Sequence, residues 1–76
     1  MIVLKYSKRE KIHPPYYAIK AYQILSKKTD EEMAEALGIS KRTYTDKVNG
    51  YSDFTNTQGE ILSSIFQKTK DEIFLT

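Results

Sequence analysis

Between Thr29 and Gly50 the chain reads TDEEMAEALGISKRTYTDKVNG, which holds two helix starts and two helix stops in quick succession. Thr29 is a strong N-cap, because its hydroxyl can accept a first-turn amide. Glu32, three residues on, can return a bond to the cap's own amide. Asp30 and Glu31 place negative charge at the favourable end of the helix dipole. Met33, Ala34 and Leu37 then mark one apolar stripe, and Gly38 ends the helix where a left-handed residue is wanted. Ile39 returns to the core and Ser40 caps a second helix, expected to run through Val48 or Asn49. Tyr44 and Val48, four apart, face inward together, and Asn49-Gly50 closes the element. A chain with this punctuation is held to two short helices joined by a tight turn.

The rest of the 76 residues is read around that unit. Pro14-Pro15 breaks regular structure, with Pro15 suited to the first turn of a helix over Tyr16–Lys27. In that helix Ile19, Tyr22 and Leu25 or Ser26 follow the inward spacing, and Lys27 and Lys28 suit its carbonyl end. Phe54 is expected as a buried loop anchor. A further helix starts near Asn56 or Thr57 and turns Ile61, Leu62 and Ile65 inward. Thr69 and Glu72 repeat the cap-to-acid spacing and open a last short turn with Ile73 and Phe74. Ile2, Val3, Leu4 and Tyr6 are β-capable, which leaves a strand, an ordered arm or a frayed terminus open for that segment. The expectation is one all-α domain of five helices at residues 16–76, preceded by an N-terminal arm or short strand at 1–15.

Composition narrows the chemistry. There is no cysteine and one histidine, so neither a disulfide nor a cysteine or histidine-rich metal site is expected. No apolar run reaches membrane-spanning length, which predicts a cytoplasmic protein. His13 beside Pro14 reads as a solvent-facing linker residue. No nucleophilic pair or glycine-rich cradle suggests catalysis, so the chain is not expected to be an enzyme and no cofactor is called for. The net charge of +2 is small, but it is polarised. Residues 1–28 hold seven Lys/Arg against one acid, whereas residues 29–76 hold five against nine. One face can therefore attract phosphates while another is neutral or acidic.

The exposed side of the second capped helix carries the functional expectation. Lys41 and Arg42 lie in its first turn, with Thr45 and Asp46 one turn later. Arginine can donate two bonds to guanine O6 and N7, lysine can donate to the same edge, threonine offers a smaller polar or methyl contact, and aspartate can accept from cytosine N4. Asp46 could equally orient Arg42. Thr29, Ser40, Lys47, Asn49, Gly50 and Tyr51 are candidates for the DNA backbone, which positions a protein without reading sequence. Several have a structural role as well: Thr29 and Ser40 as caps, Asn49 and Gly50 as a helix end, and Lys47 as cover for the core flank.

The segments T-DEE-MAEALGIS, KRTYTDKVNG and F-TNTQGEILSSIF…DEIF, as they stand here, resemble the Cro/C1-type (XRE-like) helix-turn-helix family, and especially its small phage-associated regulators. The likeness spans Thr29 to Phe74 and extends more weakly over residues 16–28. It implies a compact, lambda-repressor-like five-helix DNA-binding domain. By that resemblance 29–37 is the scaffold helix and 40–49 the recognition helix, with Lys41, Arg42, Thr45 and Asp46 at base-facing positions. It also implies a repressor that occupies a near-palindromic operator on double-stranded DNA as a homodimer. Asp30 stands where the family commonly has glutamine, and ILSKKT replaces a KxxGLT-like approach. Apolar material for pairing copies is offered by Ile65, Phe66, Ile73, Phe74 and Leu75, or by strand addition through Ile2-Val3-Leu4. The competing reading is a protein-interaction module on the same fold, an antitoxin-like or anti-repressor factor, with residues 1–15 as one route to a protein partner.

Overall fold

The structure, a computed structural model, describes residues 10–74. They form five helices: α1 Tyr17–Leu25, α2 Asp30–Leu37, α3 Lys41–Asn49, α4 Asn56–Phe66 and α5 Lys70–Phe74. The expected β-capable segment at Ile2–Tyr6 and the apolar Leu75 lie outside the described residues. No helix among the described residues is long and apolar enough to cross a membrane.

Local capping starts most of these helices. Thr29 accepts from the Glu32 amide at 3.1 Å while Glu32 accepts from the Thr29 amide at 2.8 Å. The same reciprocal pair opens α4 through Thr55 and Gln58, and α5 through Thr69 and Glu72. Ser40 caps α3 by accepting from the Thr43 amide at 3.1 Å. Each bond satisfies a helix-end donor that would otherwise need water.

The helix ends follow a second shared device. A residue with positive φ closes α2 at Gly38 and α3 at Gly50, and also follows α1 at Lys27 and α4 at Gln67. The next amide then reaches back five residues: Ile39 to the Ala34 carbonyl, Tyr51 to Asp46, Lys28 to Gln23 and Lys68 to Ser63. These bonds take up carbonyls that the helices leave unpaired.

Every helix contributes to one core. Ile19, Met33, Tyr44, Leu62 and Ile73 are its most completely buried side chains, with Ala34, Leu37, Val48 and Phe66 beside them. Buried Ala34 is small and lies next to the turn at Gly38, where α2 and α3 pack closely. Phe54 is only partly buried; it completes an aromatic group with Tyr16 and Phe74 at ring separations of 5.0–6.0 Å.

Three expectations for the N-terminal third are corrected. Leu25 is 76 % exposed rather than inward, because α1 stops there and its buried face is set by Ile19 and Tyr22. Pro15 precedes the N-cap Tyr16 instead of occupying the first turn. His13 is not a solvent-facing linker: its side chain is 12 % exposed, its ring stacks on Tyr16 at 4.1 Å, and Nε2 lies 2.8 Å from the Ser52 carbonyl.

Buried phenols give the fold a pH dependence. Burial raises the pKa of the Tyr16 and Tyr44 hydroxyls, helped by the Asp53 carboxylate at Tyr16 and by Asp30 at Tyr44. The folded state thus favours the neutral phenols. Their stabilising contribution is complete below the ordinary tyrosine value of about 10 and is lost as pH rises through the raised folded values. Thermal midpoints are expected to fall on titration from about pH 9 to about pH 11, with a shallower fall for Tyr44→Phe. An equal fall in both proteins would remove Tyr44 as a source.

Candidate nucleic-acid interface

The pair α2–α3 positions the candidate side chains. Tyr44 and Val48 anchor the inner face of α3 in the core, which turns Arg42, Asp46 and Asn49 outward at i, i+4 and i+7 spacing. Arg42 is exposed, and its guanidinium has no hydrogen bond or ion pair among the described residues. Lys41 is exposed too, but its Nζ lies 3.2 Å from Glu31 on α2. Both members of the pair are exposed and screened by solvent, so Lys41 can exchange Glu31 for another anion at little cost. Glu31 stays below the usual carboxylate range, first through its own backbone amide at the helix start and then through Lys41.

The remaining predicted residues divide by what already holds them. Thr45 is half-buried and its hydroxyl donates to the Arg42 carbonyl at 3.0 Å, which leaves its methyl and oxygen lone pairs for contact. Asp46 is half-buried, and its backbone carbonyl accepts from the Gly50 and Tyr51 amides. Lys47 lies on the flank of the core: Nζ donates to the Asp53 carbonyl at 2.6 Å and sits 5.9 Å from the Phe54 ring centre. Thr29 and Ser40 both act as caps, and the Ser40 hydroxyl also donates to Thr43 Oγ1 at 2.9 Å. Asn49 is half-exposed beside Thr45 on a cleft of about 130 Å³ that Lys20 also lines.

Asp30, the departure from the family pattern, is held by a network invisible in the sequence. Gln23 Nε2 donates to Asp30 Oδ1 at 2.8 Å, and Gln23 Oε1 accepts from the Tyr44 hydroxyl at 2.5 Å. One amide thus bridges α1, α2 and α3, and it fixes the Asp30 carboxylate beside the buried face of α3. Nothing in the residues around Gln23 on α1 signals this bridge, because its partners lie on two other helices.

Residues 11–16 form a strap over the C-terminal end of α3. The Gly50 carbonyl accepts from the Ile12 amide at 2.6 Å and the His13 amide at 3.3 Å, and the Val48 carbonyl accepts from the Tyr16 amide at 2.9 Å. Lys11 places its Nζ 5.6 Å from the Tyr51 ring centre, which brings a cation beside the predicted backbone contacts Gly50 and Tyr51. Gly50 is buried under this strap, and its amide is bonded to Asp46. Lys11 was absent from the sequence-based site, since only the docking of the strap brings it there.

A larger cleft of about 280 Å³ lies elsewhere, between Tyr16, Phe54, Gly59 and Phe74, and includes none of the predicted site residues. The five-helix bundle and the outward face of α3 define the class of arrangement: a rigid helix pair presenting a short polar helix. Comparison with protein-family models, with curated proteins and with solved structures finds no match.

Proposed function

We propose that this chain is a sequence-specific DNA-binding transcriptional regulator, a phage or prophage repressor of Cro/C1 type that acts by occupying an operator. The domain is then lambda-repressor-like, with α2 as scaffold and α3 as the helix in the major groove. The observation that carries this reading is the guanidinium of Arg42, unpaired among the described residues, on the outer face of a helix anchored by Tyr44 and Val48. Arg42 and Lys41 supply donors to guanine, Thr45 and Asp46 complete the base-facing set, and Asn49, Tyr51 and Lys11 lie where backbone oxygens would pass. Lys41 exchanges its exposed Glu31 partner for DNA as α3 docks.

Selection of sites from random duplexes with the purified protein, followed by affinity measurements across a salt series, tests the reading. A preferred site should emerge, and its affinity should fall as salt rises. Arg42→Ala should lose about 1–3 kcal/mol at one base pair, roughly 5–150-fold, and relax selectivity there while leaving the fold intact. The acidic first turn of α2, with Asp30, Glu31 and Glu32, favours the second reading, a protein-interaction module of antitoxin-like or anti-repressor type. An absence of any preferred site, together with unchanged DNA binding after charge reversal at Lys41 and Arg42, would select that reading instead.

A further inference from the structure

The strap carries one side chain that faces two acceptors at once. His13 Nδ1 lies 2.6 Å from the Pro14 carbonyl oxygen, and Nε2 lies 2.8 Å from the Ser52 carbonyl oxygen. A carbonyl oxygen only accepts. A neutral imidazole has a single N–H, so it donates to one of these oxygens and turns a lone pair on the other. The imidazolium donates to both. The Ser52 contact is partly shielded from water, which adds to the cost of leaving it unmade.

The charges around the ring have the matching sign. From the loop between α3 and α4, Asp53 Oδ1 comes within 3.8 Å of Nε2, and the Tyr16 hydroxyl donates to the same oxygen at 2.7 Å. The two cations on the neighbouring elements are turned elsewhere. Lys47 on α3 donates to the Asp53 carbonyl, and Lys11 on the strap lies over the Tyr51 ring. A positive ring is therefore met by a carboxylate and two carbonyls.

We propose that His13 is a positioning residue: as the imidazolium it docks residues 11–13 on the end of α3, and with them Lys11 beside Tyr51. The link between ring and strap stands on this geometry alone, whereas its consequence for DNA rests on the operator reading above. Imidazole exchanges its proton between about pH 5 and 8. Losing that proton removes one of the two donors, sets a lone pair against a carbonyl and cancels the attraction to Asp53. The ring then leaves, and the adjoining Ile12 and His13 amides leave the Gly50 carbonyl with it. The Tyr16 amide stays on Val48, since that bond does not involve the ring. The sign follows: residues 11–13 are docked in acid and loosen as pH rises. A phosphate contact made by Lys11 is lost in the same step.

A magnetic-resonance pH series of the full chain without DNA, from about pH 5.5 to about pH 8, tests this. Loss of the ring proton, read from the His13 nitrogen shifts, should coincide with movement of the Ile12 and His13 amide signals, while the Tyr16 amide holds still. His13→Gln keeps one donor and is neutral at every pH. Its thermal midpoint should lie below the parent's at about pH 5.5 and meet it by about pH 8. On a selected duplex, the slope of log affinity against log salt should drop by about one over the same range in the parent, and not in Lys11→Ala. Amides that ignore the ring proton, a His13→Gln deficit of equal size at both ends, or a parent salt slope that is the same at both would each overturn the proposal. Coupling of ring and strap in a chain that selects no DNA site would sink only the operator reading. A selected site in a chain whose strap ignores the ring proton would sink only this inference.

Discussion

Replacing Gly50 with alanine is expected to destabilise the fold by about 2–5 kcal/mol. Two costs coincide there. Gly50 has φ +109°, a conformation that side-chain-bearing residues rarely adopt, and an added Cβ would sit 2.0 Å from the His13 carbonyl oxygen. The strap must therefore lift from α3, releasing the Ile12 and His13 amides from the Gly50 carbonyl and the His13 ring from Ser52. Gly38→Ala is the matched control. Its φ is +73° but nothing lies within 4 Å of a new Cβ, so only the backbone cost of about 1–2 kcal/mol applies. Urea unfolding of both variants measures the difference. Equal losses would mean that residues 11–16 contribute nothing at α3.

Leu62→Ala is expected to cost about 2–5 kcal/mol, since Leu62 is wholly buried where α4 meets the rest of the core. A small domain has only about 5–15 kcal/mol of stability to lose, so this variant should unfold at a markedly lower denaturant concentration than the parent. Arg42→Ala, on the exposed side of α3, should stay within about 0.5 kcal/mol of the parent. Denaturant midpoints for the pair separate a residue that builds the domain from one available to a partner. A comparable loss in Arg42→Ala would place its guanidinium in the fold.

The starts of the helices were legible because capping is local chemistry. Thr29 with Glu32, Thr69 with Glu72 and the Ser40 hydroxyl need only residues within one turn, and all three pairings form. Gly38 and Gly50 could be read as stops because glycine adopts positive φ at little cost. Lys27 and Gln67 could not, since their side chains give no sign of the same geometry. There the five-residue amide bonds from Lys28 and Lys68 and the packing around them hold a conformation that the residues alone disfavour. On α3 the inward pair Tyr44 and Val48 follows from helical periodicity, and with it the outward direction of Arg42 and Asp46.

What periodicity does not carry is distance between segments far apart in the chain. Leu25 fits an inward stripe, yet it is exposed because α1 ends there and none of the described residues packs over it. His13 reads as linker because its partners, Ser52 and Tyr16, are joined to it only by the fold. Gln23 shows no sign in sequence of bridging Asp30 and Tyr44, seven and twenty-one residues away. Sequence by itself determined the five helices, the caps at Thr29, Ser40 and Thr69, the stops at Gly38 and Gly50, and the face of α3 turned outward, because each depends on residues within a turn or two of one another. Only the tertiary structure decided that the strap closes on Gly50, that Asp30 is held by an amide from another helix, and that α1 is left with an apolar face outside. Those facts depend on which surfaces the packed core covers and which it leaves in water.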